Sequence, residues 1–125
     1  MLHIYFDEEH TNMVSEGTGT NPDSVRISGA AGGSDERKLY LWNDDGNKTY
    51  EDVSITAAND DENVNIQYAL DINGSPGEWA ESINLPNGDY RTAVPFWRKV
   101  IVASHEESTT RRDIAHKFTA VEFEK

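Results

Sequence analysis

Between Val64 and Ile72 apolar and polar positions alternate without a break, with Val64, Ile66, Tyr68, Leu70 and Ile72 on one side and Asn65, Gln67, Ala69 and Asp71 on the other. A two-residue period is that of a strand with one buried face. The same signature places Leu39 and Leu41 opposite Tyr40 and Trp42, and Val53, Ile55 and Ala57 opposite Asp52, Ser54 and Thr56. "AESINL" predicts a weaker strand. "PFWRKVIVA" predicts one that opens on Pro95, where a missing N–H removes no ladder bond; its run Val100, Ile101, Val102 is that of a strand covered on both sides. In "IAHKFTAVEFE" the residues Ile114, His116 and Phe118 share one parity and Val121 and Phe123 the other, which predicts a bulge or twist near Thr119.

Toward the N-terminus the pattern thins. "LHIYF" makes one short strand, and residues 11–36 are dominated by Gly, Ser, Thr, Asn and Pro, with only Val25 and Ile27 alternating. This stretch predicts an arm or long loop carrying one short strand. "NDDGN", "NGSPGEW", "LPNGDY" and "SHEESTTRRD" supply turns, with Asn87-Gly88 suited to positive φ. No segment carries a helical stripe. Short strands separated by turns, each with one apolar face to cover, predict an all-β, two-layer antiparallel sandwich. Residues 1–36 are expected to form the N-terminal strand and Gly/Ser-rich arm, and 37–125 the sandwich, so that removing 1–34 would leave a folded domain.

The length, 125 residues, suits one domain. Charge narrows the partners: 23 Asp and Glu against 11 Lys and Arg give −12, a balance repelled by phosphate backbones and anionic lipid, and one that also suits high salt. No direct nucleic-acid or membrane partner is expected. Without cysteine there is no disulfide, thiolate ligand or thiol nucleophile. The start turns acidic too soon for a signal peptide, and no apolar run approaches the ~18 residues of a membrane span.

Candidate chemistry is sparse. An EF-hand loop needs glycine at its sixth position, but counting from Asn43 or from Asp71 brings Gly46 or Gly74 to the fourth. Both stretches read as turns, and "ANDDEN" at 58–63 is the densest acidic loop. His3, His10, His105 and His116 lie in separate segments without metal spacing, and His116 reads as a rim residue. "GAAGGSDERK" lacks the ending of a phosphate loop, and no GxSxG elbow occurs. No metal, cofactor or enzymatic activity is expected. Trp42 and Trp97 are expected in the inter-sheet core with Trp79 capping its end; the alternative is a sugar-stacking platform at Trp79 with Tyr90.

"LYLWND" followed by "TYEDVSI", and "PFWRKVIV" before a last strand ending "AVEFE", resemble immunoglobulin-like accessory domains in virion proteins of tailed phages and related viruses. The resemblance covers residues 38–124. It implies an immunoglobulin-like sandwich with an extended N-terminal arm, without the cysteine pair of antibody domains. It further implies a non-enzymatic structural protein made in the host cytoplasm and carried on the virion exterior, decorating or cementing the capsid. A tail, neck or baseplate place is the alternative. Partners would be other virion proteins, major capsid or tail, and further copies of the chain. Under this reading Leu2, Ile4, Tyr5, Phe6, Val25 and Ile27 are the expected assembly contacts. A carbohydrate- or host-surface-binding module is the reading from another class.

Overall fold

The computed structural model describes residues 2–14, 23–27, 33–57, 64–102, 110–114 and 116–125. They form ten strands: β1 (Leu2–Tyr5), β2 (Asp23–Ile27), β3 (Gly33–Asn43), β4 (Lys48–Ala57), β5 (Val64–Ile72), β6 (Ser75–Pro76), β7 (Ser82–Leu85), β8 (Val94–Val102), β9 (Thr110–Ile114) and β10 (His116–Glu124). The larger sheet has the order β1-β3-β8-β5-β6 and the smaller β10-β4-β7, while β2 and β9 pair as a separate ribbon. Every pairing is antiparallel. The fold is thus all-β, with two antiparallel sheets in a sandwich-like arrangement.

Alternation decides which side chains meet between the layers. Leu39, Leu41, Ile66, Tyr68, Phe96 and Val100 from the larger sheet join Tyr50, Val53, Ile55, Ile83 and Leu85 from the smaller in one buried cluster. Tyr50 and Val53 could not both point inward under strict alternation. The register supplies the correction: Thr119 faces Ser54 and Val121 faces Glu51, so Asp52 and Val53 together oppose Ala120. Asp52 takes a left-handed φ of 54°, the signature of a bulge that re-aims the strand, and its N–H donates to Asn87 Oδ1 at 3.2 Å. The irregularity falls beside Thr119, where the last strand predicts a bulge or twist, but the extra residue belongs to β4: β10 keeps its alternation and turns Val121 and Phe123 outward.

Several expectations change in detail. The polar stretch assigned to a turn before the last strand includes Thr110–Asp113, which form most of β9. Asn73 and Gly74 take φ of 53° and 91° and close the β5–β6 hairpin, whereas at "LPNGDY" the positive φ falls on Tyr90 (55°) and not on Asn87-Gly88. Leu70 and Ile72 keep the predicted parity but are exposed.

The N-terminal segment is woven into the sandwich. β1 pairs with β3 from Leu2↔Asn43 to Tyr5↔Tyr40, and Leu2, Ile4 and Val14 belong to the core cluster. β3 itself begins at Gly33, before the boundary expected at residue 37.

Candidate functional site

Alternation that sends Leu39, Leu41 and Phe96 inward sends Lys38, Tyr40, Trp42, Pro95, Trp97 and Lys99 to the outer face of the larger sheet. Cross-strand neighbours share a face, and the register sets Lys38 against Trp97, Tyr40 against Pro95, and Ala69 against Trp97. The result is an aromatic surface threaded with cations. Trp42 and Trp97 are therefore half-buried on this face and not in the inter-sheet core as expected.

Each tryptophan is held by specific contacts. The His10 ring lies parallel to Trp42 with centroids 3.7 Å apart, the Arg91 guanidinium stands 4.9 Å from the same ring, and Trp42 Nε1 donates to the Arg91 carbonyl at 3.1 Å. His10 is presented by a loop that Asp7 fastens, its carboxylate accepting from the N–H groups of Thr11 and Asn12 at 2.9–3.1 Å and from the Thr11 hydroxyl. These bonds, the Thr11 hydroxyl foremost, hold the Asp7 carboxyl below its ordinary range. Trp97 Nε1 donates to Asp71 Oδ1 at 2.9 Å. Lys38 Nζ sits 3.6 Å from that oxygen, between the rings of Tyr40 and Trp97 at 5.8 and 5.9 Å. The Trp97 hydrogen bond and then the Lys38 charge lower the Asp71 pKa. Trp79, beside β5, carries Lys99 Nζ 5.4 Å from its centroid.

A second constellation lies inside. Arg98 shares the inward parity of Phe96 and Val100 and is fully buried. Its Nε and Nη2 donate to Asp23 Oδ2 and Oδ1 at 2.7 and 2.6 Å, and its Nη1 to Asp35 Oδ2 at 2.6 Å. His116 Nε2 is 2.8 Å from Asp23 Oδ2 and its Nδ1 is 2.7 Å from the Tyr68 hydroxyl. A carboxylate only accepts, so Nε2 is the donor. Burial alone would raise the Asp23 carboxyl; hydrogen bonds from Arg98 and His116, with their charges, outweigh it and hold the group at about 2. Burial, and then the Asp23 charge, push the Tyr68 phenol well up.

The Tyr-His-Asp order of this chain is that of a proton relay, but Tyr68 is 0% exposed and offers a substrate no atom. What the cluster does is mechanical: Asp23, Asp35, Tyr68, Arg98 and His116 come from β2, β3, β5, β8 and β10, and together they clamp the base of the β2–β9 ribbon to both layers. His116, expected at the rim, has a side chain only 2% exposed.

Sequence reasoning placed its contact residues elsewhere. Leu2, Ile4 and Tyr5 are buried within the chain's own fold, and Phe6 is half-buried beneath the Arg37 guanidinium, 3.9 Å from its centroid. Val25 and Ile27 stand in β2, their side chains outside the described residues. Trp79 is half-buried on the outer face, but Tyr90 is only 3% exposed, edge-on to Tyr50, with its hydroxyl donating to the Pro86 carbonyl at 2.6 Å. The two rings are not brought together into one platform. "NDDGN" is a turn: Asn43 Oδ1 accepts from Asp45 N–H, its Nδ2 donates to the Asp45 and Asp89 carbonyls, and Asp45 Oδ1 accepts from Asn47 N–H. "ANDDEN" at 58–63 lies outside the described residues.

No protein family, curated protein or solved structure matches this chain.

Proposed function

We propose that the chain is a non-enzymatic virion structural protein of a tailed virus, decorating or cementing the capsid exterior and docking through the outer aromatic face of its five-stranded sheet. The observation that carries this reading is the face itself. Trp42, Tyr40, Trp97 and Trp79, interleaved with Arg91, Lys38 and Lys99, stand at the surface of a chain whose net charge is −12. Aromatics and arginine are the residues enriched where proteins meet, and Trp, Tyr and Arg dominate the energy of such contacts. The acidic remainder suits a position outside the shell, away from packaged nucleic acid. The sequence resemblance to immunoglobulin-like virion domains points the same way.

Two features favour the immunoglobulin-like refinement of the fold. β4 pairs with β7 and β5 with β8, as strands B and E and strands C and F do in that fold. Between β7 and β8 the Tyr90 hydroxyl bonds back to the carbonyl of Pro86, in the place and manner of the tyrosine corner. β3 and β10 depart from the pattern: β3 lies beside β8 and β10 beside β4, whereas the immunoglobulin arrangement sets its first strand beside B and its last beside F.

Co-sedimentation with candidate particles tests the proposal. A fixed ratio to shell protein, near unity or a simple fraction, is expected, with the ratio collapsing in a Lys38→Glu, Lys99→Glu variant that keeps its fold. A handful of copies per particle would move the chain to tail, neck or baseplate. No binding, together with retention on glycans that Trp79→Ala abolishes, would replace the proposal with the carbohydrate-binding reading.

A further inference from the structure

β10 is a long strand with one side open. The free side of β1 is covered by the returning chain, where Phe6 N–H donates to the Asn12 carbonyl and Val14 N–H to that of Ile4. The free side of β5 is covered by β6, and by Ala80, which exchanges hydrogen bonds with Tyr68. β7 is a short edge of four residues. β10 runs for nine residues beside β4, and among the described residues nothing pairs with its other side.

Natural proteins guard such edges with charge, bulges or brevity. The charges of this one are already engaged: Glu122 accepts from the Tyr50 hydroxyl at 2.7 Å, Glu124 pairs with Lys48 at 3.2 Å, and Lys125 pairs with Asp89 at 2.7 Å. Among the described residues of the strand only Lys117 is left without a partner. Val121 and Phe123 are each 46% exposed, and both lie on the outer face, opposite Glu51 and Thr49.

We propose that a second copy of this chain covers the edge, β10 pairing antiparallel with its own counterpart about a two-fold axis at Ala120, so that two three-stranded sheets become one of six. The strand is complementary to itself in that register. On the outer face Thr119 meets Val121 of the other copy and Lys117 meets Phe123, ammonium over ring, and each pair occurs twice; on the inner face Phe118 meets Glu122. No like charges stand opposite one another. Moving the axis to Val121 would set Lys117 against Lys125, so charge selects the first register. A two-fold contact of this kind closes on itself and leaves no further edge of β10 to extend. It uses the smaller sheet and is independent of the aromatic face, so neither reading depends on the other.

Sedimentation velocity and directed cross-linking test it together. At ~100 µM, where a micromolar contact is saturated, the wild-type chain is expected as a dimer that persists in high salt. Val121→Lys is expected as a monomer with an unchanged circular dichroism spectrum. The chain has no cysteine, so an introduced thiol reports cleanly: Ala120→Cys should form a covalent dimer on mild oxidation, and Lys117→Cys, which faces Phe123 of the other copy, should not. Should Val121→Lys fail to fold, the contrast between those two thiol variants decides. A monomeric wild-type chain, a dimer indifferent to Val121→Lys in its folded form, or equal cross-linking at both positions would each overturn the proposal.

Discussion

Substituting Asp23→Asn keeps the shape of the side chain and removes its charge, leaving the buried Arg98 guanidinium with Asp35 as its remaining anion. Removing one partner of a buried, hydrogen-bonded ion pair costs about 3–5 kcal/mol, because the other charge stays desolvated. A 125-residue domain holds on the order of 6–19 kcal/mol in all, so the loss is a large share and should appear as a fall in melting temperature of roughly 10–20 °C. The pH dependence is an independent reading of the same pair. The Asp23 pKa falls from 3.8 to about 2 on folding; a depressed folded value means the stabilisation is present above the unfolded pKa and disappears as pH falls through the folded one. The wild-type chain should therefore lose about 2 kcal/mol between about pH 4 and pH 2 that the Asp23→Asn variant does not lose. Guanidinium titrations at several pH values measure both quantities. Combining Asp23→Leu with Arg98→Met should cost less than the two single losses added, by more than ~0.5 kcal/mol. A loss below ~1 kcal/mol for Asp23→Asn, or parallel acid limbs in the two proteins, would refute the reasoning.

Deleting residues 1–34 strips Leu2, Ile4 and Val14 from the core and Asp23 from Arg98; the truncated chain should show no cooperative melting transition, and a sharp one would mean that the segment is dispensable. Tyr90→Phe removes the hydroxyl that meets the Pro86 carbonyl and should cost about 1–3 kcal/mol in urea titrations. Phe96→Ala opens a void in the centre of the larger sheet, where the ring is fully buried, and should cost about 3–5 kcal/mol by the same measurement. Gly74→Ala forces a Cβ onto a φ of 91° and should lower stability by about 1 kcal/mol.

Most strands were legible because each has one face against the other layer, and a period of two survives in the text. The place of the bulge, beside Thr119, was anticipated but not its cause: the extra residue is in β4, and Val121 and Phe123 are apolar residues left on the outer face. β9 was hidden because "TTRRDI" has the composition of a loop; its pairing with β2 is a tertiary matter that local preference does not encode. The tryptophans were misplaced by weighing their size above their parity: Trp42 alternates with Leu39 and Leu41, and Trp97 with Phe96 and Arg98, so neither could face inward with them. The same rule would have exposed the internal clamp, since Arg98 lies between Phe96 and Val100 on the buried side. Its partners could not be read, because Asp23 is 75 residues away and nothing in "NPDSVRIS" marks that carboxylate as buried.

The clamp also bears on how the chain reaches its fold. β10 reaches back to β4, with Tyr50 and Glu122 72 residues apart, and the carboxylate that neutralises Arg98 arrives from 75 residues upstream. Domains ruled by such distant pairings fold slowly, on the scale of milliseconds to seconds. Until β2 has arrived, the guanidinium on the central strand has only the Asp35 carboxylate of the neighbouring β3 as counter-ion, and burying it is less favourable than in the completed cluster. The ion cluster therefore couples full closure of the sandwich to the arrival of β2, and, through His116, of β10.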